Sequence, residues 1–212
     1  MNVLIVGSHG NIGQRLVRQM AKSAHTARAM IRDESQRDEM RALGAAEVVV
    51  ADLEGDVRDA LADCDAVVFT AGSGAHTGPE KTEDVDRHGA ISIIDQARRA
   101  GVRRFVLVSS MNADTPEKGP EKMRHYFEAK KAADDHLRAS DLEYTIVRPG
   151  KLTDEEATGT ADIAKDLNRY GEVAREDVAH ALLLTLDSPN TIGQHYEMLA
   201  GDTPIEKALR GI

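Results

Sequence analysis

Val3-Leu4-Ile5-Val6-Gly7-Ser8-His9-Gly10-Asn11-Ile12-Gly13 opens the chain and runs into an amphipathic stretch that reaches Lys22. An apolar run, a glycine turn and a helix form the arrangement that a dinucleotide pyrophosphate needs. Missing side chains let the backbone close on the phosphates, and the first helical amides face the anion. Three glycines at this spacing are weak evidence alone, so the weight rests on the strand before them and the helix after them. Gly7, Ser8, Gly10, Asn11, Ile12 and Gly13 are therefore expected to bind NAD or NADP.

The rest of the chain continues the pattern. Apolar runs between turn signals predict strands near Asn2 to Val6, Ala27 to Ile31, Glu47 to Val50, Ala66 to Thr70, Arg104 to Ser109, Tyr144 to Val147 and His195 to Leu199. Helical periodicity marks Asn11 to Lys22, Glu34 to Leu43, Val85 to Ala100, His125 to Ala139 and Asp177 to Leu186. Alternating strands and helices imply an α/β fold, a doubly wound parallel sheet of Rossmann type. The expected strand order is 3-2-1-4-5-6 with a seventh strand, and the ligand belongs where the winding reverses. Residues 1–212 are expected to form a single domain with a short C-terminal substrate lid at about 151–174. The stretches Gly72 to Asp84, Asn112 to Glu121 and Leu152 to Gly171 are expected as loops walling a substrate pocket.

Composition narrows the function. A chain of 212 residues with 41% hydrophobic residues can bury one substantial core. Its formal net charge of -9 repels polyanions, and no basic patch offsets it, so nucleic acid is not an expected partner. No run approaches ~18 consecutive apolar residues, which argues against a membrane span. The single Cys64 excludes an intrachain disulfide, and the eight histidines do not pair at metal-ligand spacing. A cytoplasmic protein without a metal site, acting on a small molecule as monomer or homodimer, is the resulting expectation.

Two local features refine the chemistry. Arg32 comes first after the second strand, with Asp33 behind it; a guanidinium there suits the 2′-phosphate of NADP, while a carboxylate suits the ribose of NAD. NADP is the expected cofactor, with NAD the less favoured. In Tyr126-Phe127-Glu128-Ala129-Lys130, a phenol and an ammonium lie four residues apart on one helical face. A free phenol titrates near ~10 and is a poor base at neutral pH unless a cation such as Lys130 stabilises its anion. Phe127 is expected in the core.

With VLIVGSHGNIG, Asp52-Leu53, VVFTAGSG, FVLVSS, YFEAK and YTIVRPG in this order, the chain resembles the short-chain dehydrogenase/reductase superfamily over nearly its whole length. The likeness is to its atypical members, whose GxxGxxG turn is like that of the epimerase/dehydratase-like enzymes. The resemblance implies that Tyr126 is the general acid/base, that Lys130 holds the nicotinamide ribose and lowers the phenol pKa, and that Ser110, rather than Ser109, binds the substrate oxygen. It implies that Asp52 and Leu53 lie at the adenine, Ala71, Gly72 and Ser73 beside the adenosine ribose and phosphates, and Pro149, Gly150, Lys151 and Leu152 near the nicotinamide. Asp86 stands where the family usually has an asparagine. A carboxylate accepts but does not donate unless protonated, so the relay role of that position is open. The implied activity is an NADP-dependent oxidoreductase on a small carbonyl or alcohol. The alternatives are an NmrA-like redox sensor that binds NADP without turnover, or an epimerase/dehydratase on a small substrate.

Overall fold

The computed structural model describes residues 1–73 and 78–212. Gly74, which ends the VVFTAGSG motif, and His76 lie outside the described residues. In chain order the elements are β1 (Asn2–Val6), α1 (Asn11–Met20), β2 (Thr26–Ile31), α2 (Arg37–Ala42), β3 (Glu47–Val50), α3 (Arg58–Leu61), β4 (Ala66–Phe69) and α4 (Pro79–Thr82). A π-helical turn, Glu83–Gly89, leads into α5 (Ala90–Arg99), followed by β5 (Arg104–Val108), α6 (Arg124–Arg138), β6 (Glu143–Pro149), β7 (Lys151–Thr153), β8 (Thr160–Ala164) and β9 (Glu172–Ala174). The chain closes with α7 (Arg175–Leu186), β10 (Gln194–Pro204) and α8 (Ile205–Leu209).

The main sheet has the order β3-β2-β1-β4-β5-β6-β10-β8. This contains the expected 3-2-1-4-5-6, and the expected seventh strand is β10, parallel to β6. Period-two alternation explains why both faces are covered. Val3 and Ile5 of β1 join Leu16, Met20, Val178, Leu182 and Leu209 beneath α1, α7 and α8. Leu4 and Val6 point the other way and meet Leu61, Ile93, Ile94 and Leu137 beneath α3, α5 and α6. Each fully buried aliphatic side chain contributes about 1.5–3 kcal/mol. The first helix follows its pattern: Ile12, Leu16, Val17 and Met20 are buried, while Asn11 and Arg18 are exposed.

Three expectations change at this level. Glu34–Gln36 is a 3-10 turn, so α2 begins only at Arg37, because Asp33 caps that turn by accepting from Ser35 N at 2.8 Å. Residues 79–84 are helical where the end of a loop was expected, and the first turns of the helix expected from Val85 belong to the π-helical turn Glu83–Gly89. Within the stretch expected as a lid, Thr160–Ala164 is an antiparallel edge strand on β10, and Lys151–Thr153 pairs with Glu172–Ala174. Only the connections between these short strands remain open in form.

Candidate active site

The parallel strands β1, β4, β5 and β6 end along one edge, and their C-terminal connections hold the candidate residues. Gly7, at φ +81, occupies the left-handed region; a Cβ there would come within 2.6 Å of the Ala71 backbone. A Cβ on Gly13 would run into the Gly7 carbonyl and lie 2.6 Å from Ser8 Cα. Gly10 differs: its nearest neighbour, the Gly7 carbonyl, would be 3.2 Å from an added Cβ. Gly10 is also the N-cap of α1, with no side chain capping the helix. The turn thus presents bare helical amides to the edge, which fits a dinucleotide pyrophosphate.

The expected neighbours are distributed unevenly around this turn. Ser8 is buried, and its hydroxyl donates to Met30 O at 2.6 Å, so only its backbone can serve a ligand. Ile12 is buried and Asn11 is exposed at the first helical position. Arg32 is exposed and makes no ion pair or hydrogen bond among the described residues. Its neighbour Asp33 is occupied with Ser35 N, which holds that carboxylate below its usual range. Asp52 is exposed and caps its own turn through Glu54 N at 3.0 Å, and Leu53 packs on Gly89 of the π-helical turn.

From Ala71 the chain leads directly to the second group of residues. Ser73 N donates to Asp86 Oδ2 at 2.9 Å, and the other carboxylate oxygen lies 2.9 Å from Lys130 Nζ. Both side chains are almost fully buried. The π-helical turn rotates Asp86 inward, a local widening that commonly marks functional positions. Lys130 Nζ also donates to Val108 O at 3.2 Å and stands 5.7 Å from the centroid of the half-buried Tyr126 ring. Ser110 follows β5, and its hydroxyl bears on the Tyr126 phenol. Phe127 is buried as expected, but against Gly119 and edge-on to Tyr126, with ring centroids 5.6 Å apart, rather than in either main apolar cluster.

Opposed influences meet at the phenol. Burial pushes the Tyr126 phenol above its ordinary range; Lys130 and Ser110 pull it down, and Asp86 and Asp134 push it further up. The lysine acts in the expected direction, but desolvation outweighs it. Asp86 is held below the usual carboxylate range: burial opposes this, and Lys130 and Ser73 overcome it.

On the far side, Pro149 O accepts from Met111 N at 3.2 Å, Gly150 N donates to Met198 O at 3.0 Å, and Lys151 N donates to Gly171 O at 3.0 Å. A Cβ on Gly150 would overlap Leu199 and the Gly171 carbonyl, so this glycine permits two backbones to meet. Lys151 is exposed and paired with Glu172, while Leu152 packs toward the core.

Sequence reasoning missed a buried charge network. Arg148 in β6 donates to Asp134 Oδ2 at 2.7 Å and 3.2 Å and grips Asp114 with both terminal nitrogens. Asp134 lies one helical turn beyond Lys130, and Asp114 lies four residues beyond Ser110, so Arg148 ties α6 to the Ser110 loop. The available signal was a lone arginine inside the apolar run of YTIVRPG. Arg148→Met is expected to cost about 3–5 kcal/mol by leaving Asp134 buried without its cation. That deficit should grow with pH. Without the guanidinium, folded Asp134 binds its proton more tightly than the unfolded chain does, so stability falls as pH rises through the carboxylate range. Urea unfolding at two pH values checks this; a loss below about 1 kcal/mol, the size of a surface pair, would mean the network does not brace the site.

The comparisons agree with this geometry. An NAD(P)H-binding family model matches residues 7–189. The uncharacterized sugar epimerase YhfK of Bacillus subtilis is 45% identical over 214 residues, covering 99% of each chain. A solved structure of a proposed NAD-dependent epimerase/dehydratase from Bacillus halodurans matches with TM-score 0.98 and 44% identity over 100% of both chains. ChuY, an anaerobillin reductase from Escherichia coli O157:H7, matches with TM-score 0.82 and 26% identity, over 95% of this chain and 98% of its own. Among the described residues no helix is long and apolar enough to cross a membrane. With a glycine cradle shaped for a dinucleotide and a family model covering most of its length, the chain belongs to the NAD(P)H-binding family of Rossmann domains.

Proposed function

We propose that the protein is an NADP-dependent oxidoreductase of the atypical short-chain dehydrogenase/reductase type, acting on a small carbonyl or alcohol. The observation that carries this reading is the buried Lys130–Asp86 pair beside Tyr126 and Ser110, reached from the glycine turn through Ala71 and Ser73. Such a cluster is costly to bury and adds little to folding that an apolar pair would not, which argues for chemistry. When bound, the reduced dinucleotide supplies the hydride. Tyr126 Oη exchanges a proton with the substrate oxygen, Ser110 orients that oxygen, and Lys130 holds the ribose and the local charge.

Arg32, without a partner among the described residues, and Asp33, turned to its own cap, support NADP over NAD. Arg32→Ala is expected to reduce the preference for NADPH over NADH by about tenfold or more, the worth of a charge-assisted bond to phosphate. Dissociation constants for both nucleotides in parent and variant test it, and an unchanged ratio removes the assignment.

The loops at the edge are polar, and Tyr170 is their one large exposed hydrophobic side chain among the described residues, which supports a small substrate. The decisive experiment is a panel of small carbonyl compounds followed by NADPH absorbance. Steady consumption with any member supports the oxidoreductase. Tight NADPH binding with no turnover favours the sensor. The name of YhfK supports a further reading as an epimerase, which would show as inversion at a substrate carbon with no net NADPH consumption.

A further inference from the structure

We propose that Asp86 is a positioning residue for proton transfer: by holding the Lys130 charge in a buried ion pair, it leaves the Tyr126 phenol as the resting proton donor, so that the site is poised for carbonyl reduction. The inference deepens the oxidoreductase reading and rests on it for the identity of the reaction. Its physical basis is a matter of where charge is placed.

Lys130 Nζ donates to Val108 O at 3.2 Å, forms an ion pair with Asp86 Oδ1 at 2.9 Å, and faces the Tyr126 ring from 5.7 Å. Asp86 is fixed from behind by Ser73 N, and Gly72 approaches it so closely that a Cβ there would be 3.3 Å from Oδ1. One carboxylate oxygen is thereby held by Ser73 N while the other faces the ammonium. The charged groups bearing on the phenol are Lys130 and Asp134 from α6 and Asp86 from the π-helical turn, with the Ser110 hydroxyl facing it from the loop after β5. Burial is the largest influence and disfavours a phenolate; Arg148 already neutralises Asp134, so Asp86 is the carboxylate that offsets Lys130 at the phenol. An asparagine at position 86 would keep the shape and remove the carboxylate, leaving Lys130 free to stabilise the anion. In the reduction, the Tyr126 O–H bond breaks as the carbonyl oxygen takes the proton. The carbonyl carbon takes the hydride from the reduced dinucleotide, which leaves oxidised, and water returns a proton to the phenolate.

The chain has four tyrosines and no tryptophan, so tyrosinate absorbance can be followed without an indole background. The parent minus Tyr126→Phe difference isolates one tyrosinate step. That step is expected above the ordinary tyrosine value, because the phenol is buried. In Asp86→Asn it is expected at lower pH than in the parent, and the alkaline decline of reductive turnover should move in the same direction. A parent step well below that ordinary value, or a step that stays put or rises in folded Asp86→Asn, overturns the proposal. If Asp86→Asn does not fold, Asp86→Ser, which also removes the carboxylate, is titrated in its place with the same expected direction. The titration uses neither NADPH nor substrate, so it can fail while turnover is found and hold while none is, which separates this inference from the oxidoreductase reading.

Discussion

Gly10→Val is expected to yield a folded protein that no longer binds NADPH. The three glycines of the turn look alike in sequence but are constrained for different reasons. Gly7 needs a positive φ and abuts Ala71, and Gly13 packs onto Gly7 and Ser8, so side chains at either would force backbone apart inside the fold. Gly10 has φ -73, open to any residue, and among the described residues an added Cβ would closely approach just the Gly7 carbonyl, at 3.2 Å. A valine there costs the fold about 1 kcal/mol as a poor N-cap. Its branches nevertheless stand over the first amides of α1, where the pyrophosphate must make backbone contact. Circular dichroism should match the parent and the melting temperature should fall by only about 2–4 °C, while NADPH titration should show affinity lost beyond detection. A folded Gly10→Val protein with parental NADPH affinity would place the dinucleotide elsewhere and remove the basis for every role assigned along this edge.

That distinction among glycines marks where sequence reading stops. Apolar runs such as Val3-Leu4-Ile5-Val6 and FVLV have to be buried on both faces, so the strands and their order follow from hydrophobicity and the handedness of crossovers. Tyr126 and Lys130 were legible because helical spacing is fixed. Three features were not. The π-helical turn that aims Asp86 at Lys130 depends on one extra residue per turn, which periodicity over VDRHGA does not register. The Arg148 network joins residues from a loop, a helix and a strand, and no local pattern links Asp114 to Asp134. The phenol's direction of shift depended on burial, a quantity that the spacing of tyrosine and lysine does not contain.

Tyr126→Phe should lower turnover by about 10²–10⁴-fold, the usual worth of a general acid, with NADPH affinity close to the parent's. Phenylalanine keeps the ring, so the edge contact with Phe127 and the packing on α6 survive while the proton is lost. Because the missing interaction belongs to the transition state, the loss should appear in kcat and kcat/KM together, with little change in KM. Lys130→Ala should behave differently. It removes the ammonium assigned to the ribose and strands Asp86 as a buried, unpaired carboxylate, so NADPH affinity, turnover and stability should all fall. Measured on any substrate found in the carbonyl panel, the two variants form a pair: one defective in chemistry alone, the other in chemistry, binding and folding. Parental turnover in Tyr126→Phe would make the phenol a bystander and move the proton donor to another group at the edge. A Lys130→Ala protein with unchanged NADPH affinity would instead confine the lysine to its pair with Asp86 and leave the ribose to other residues.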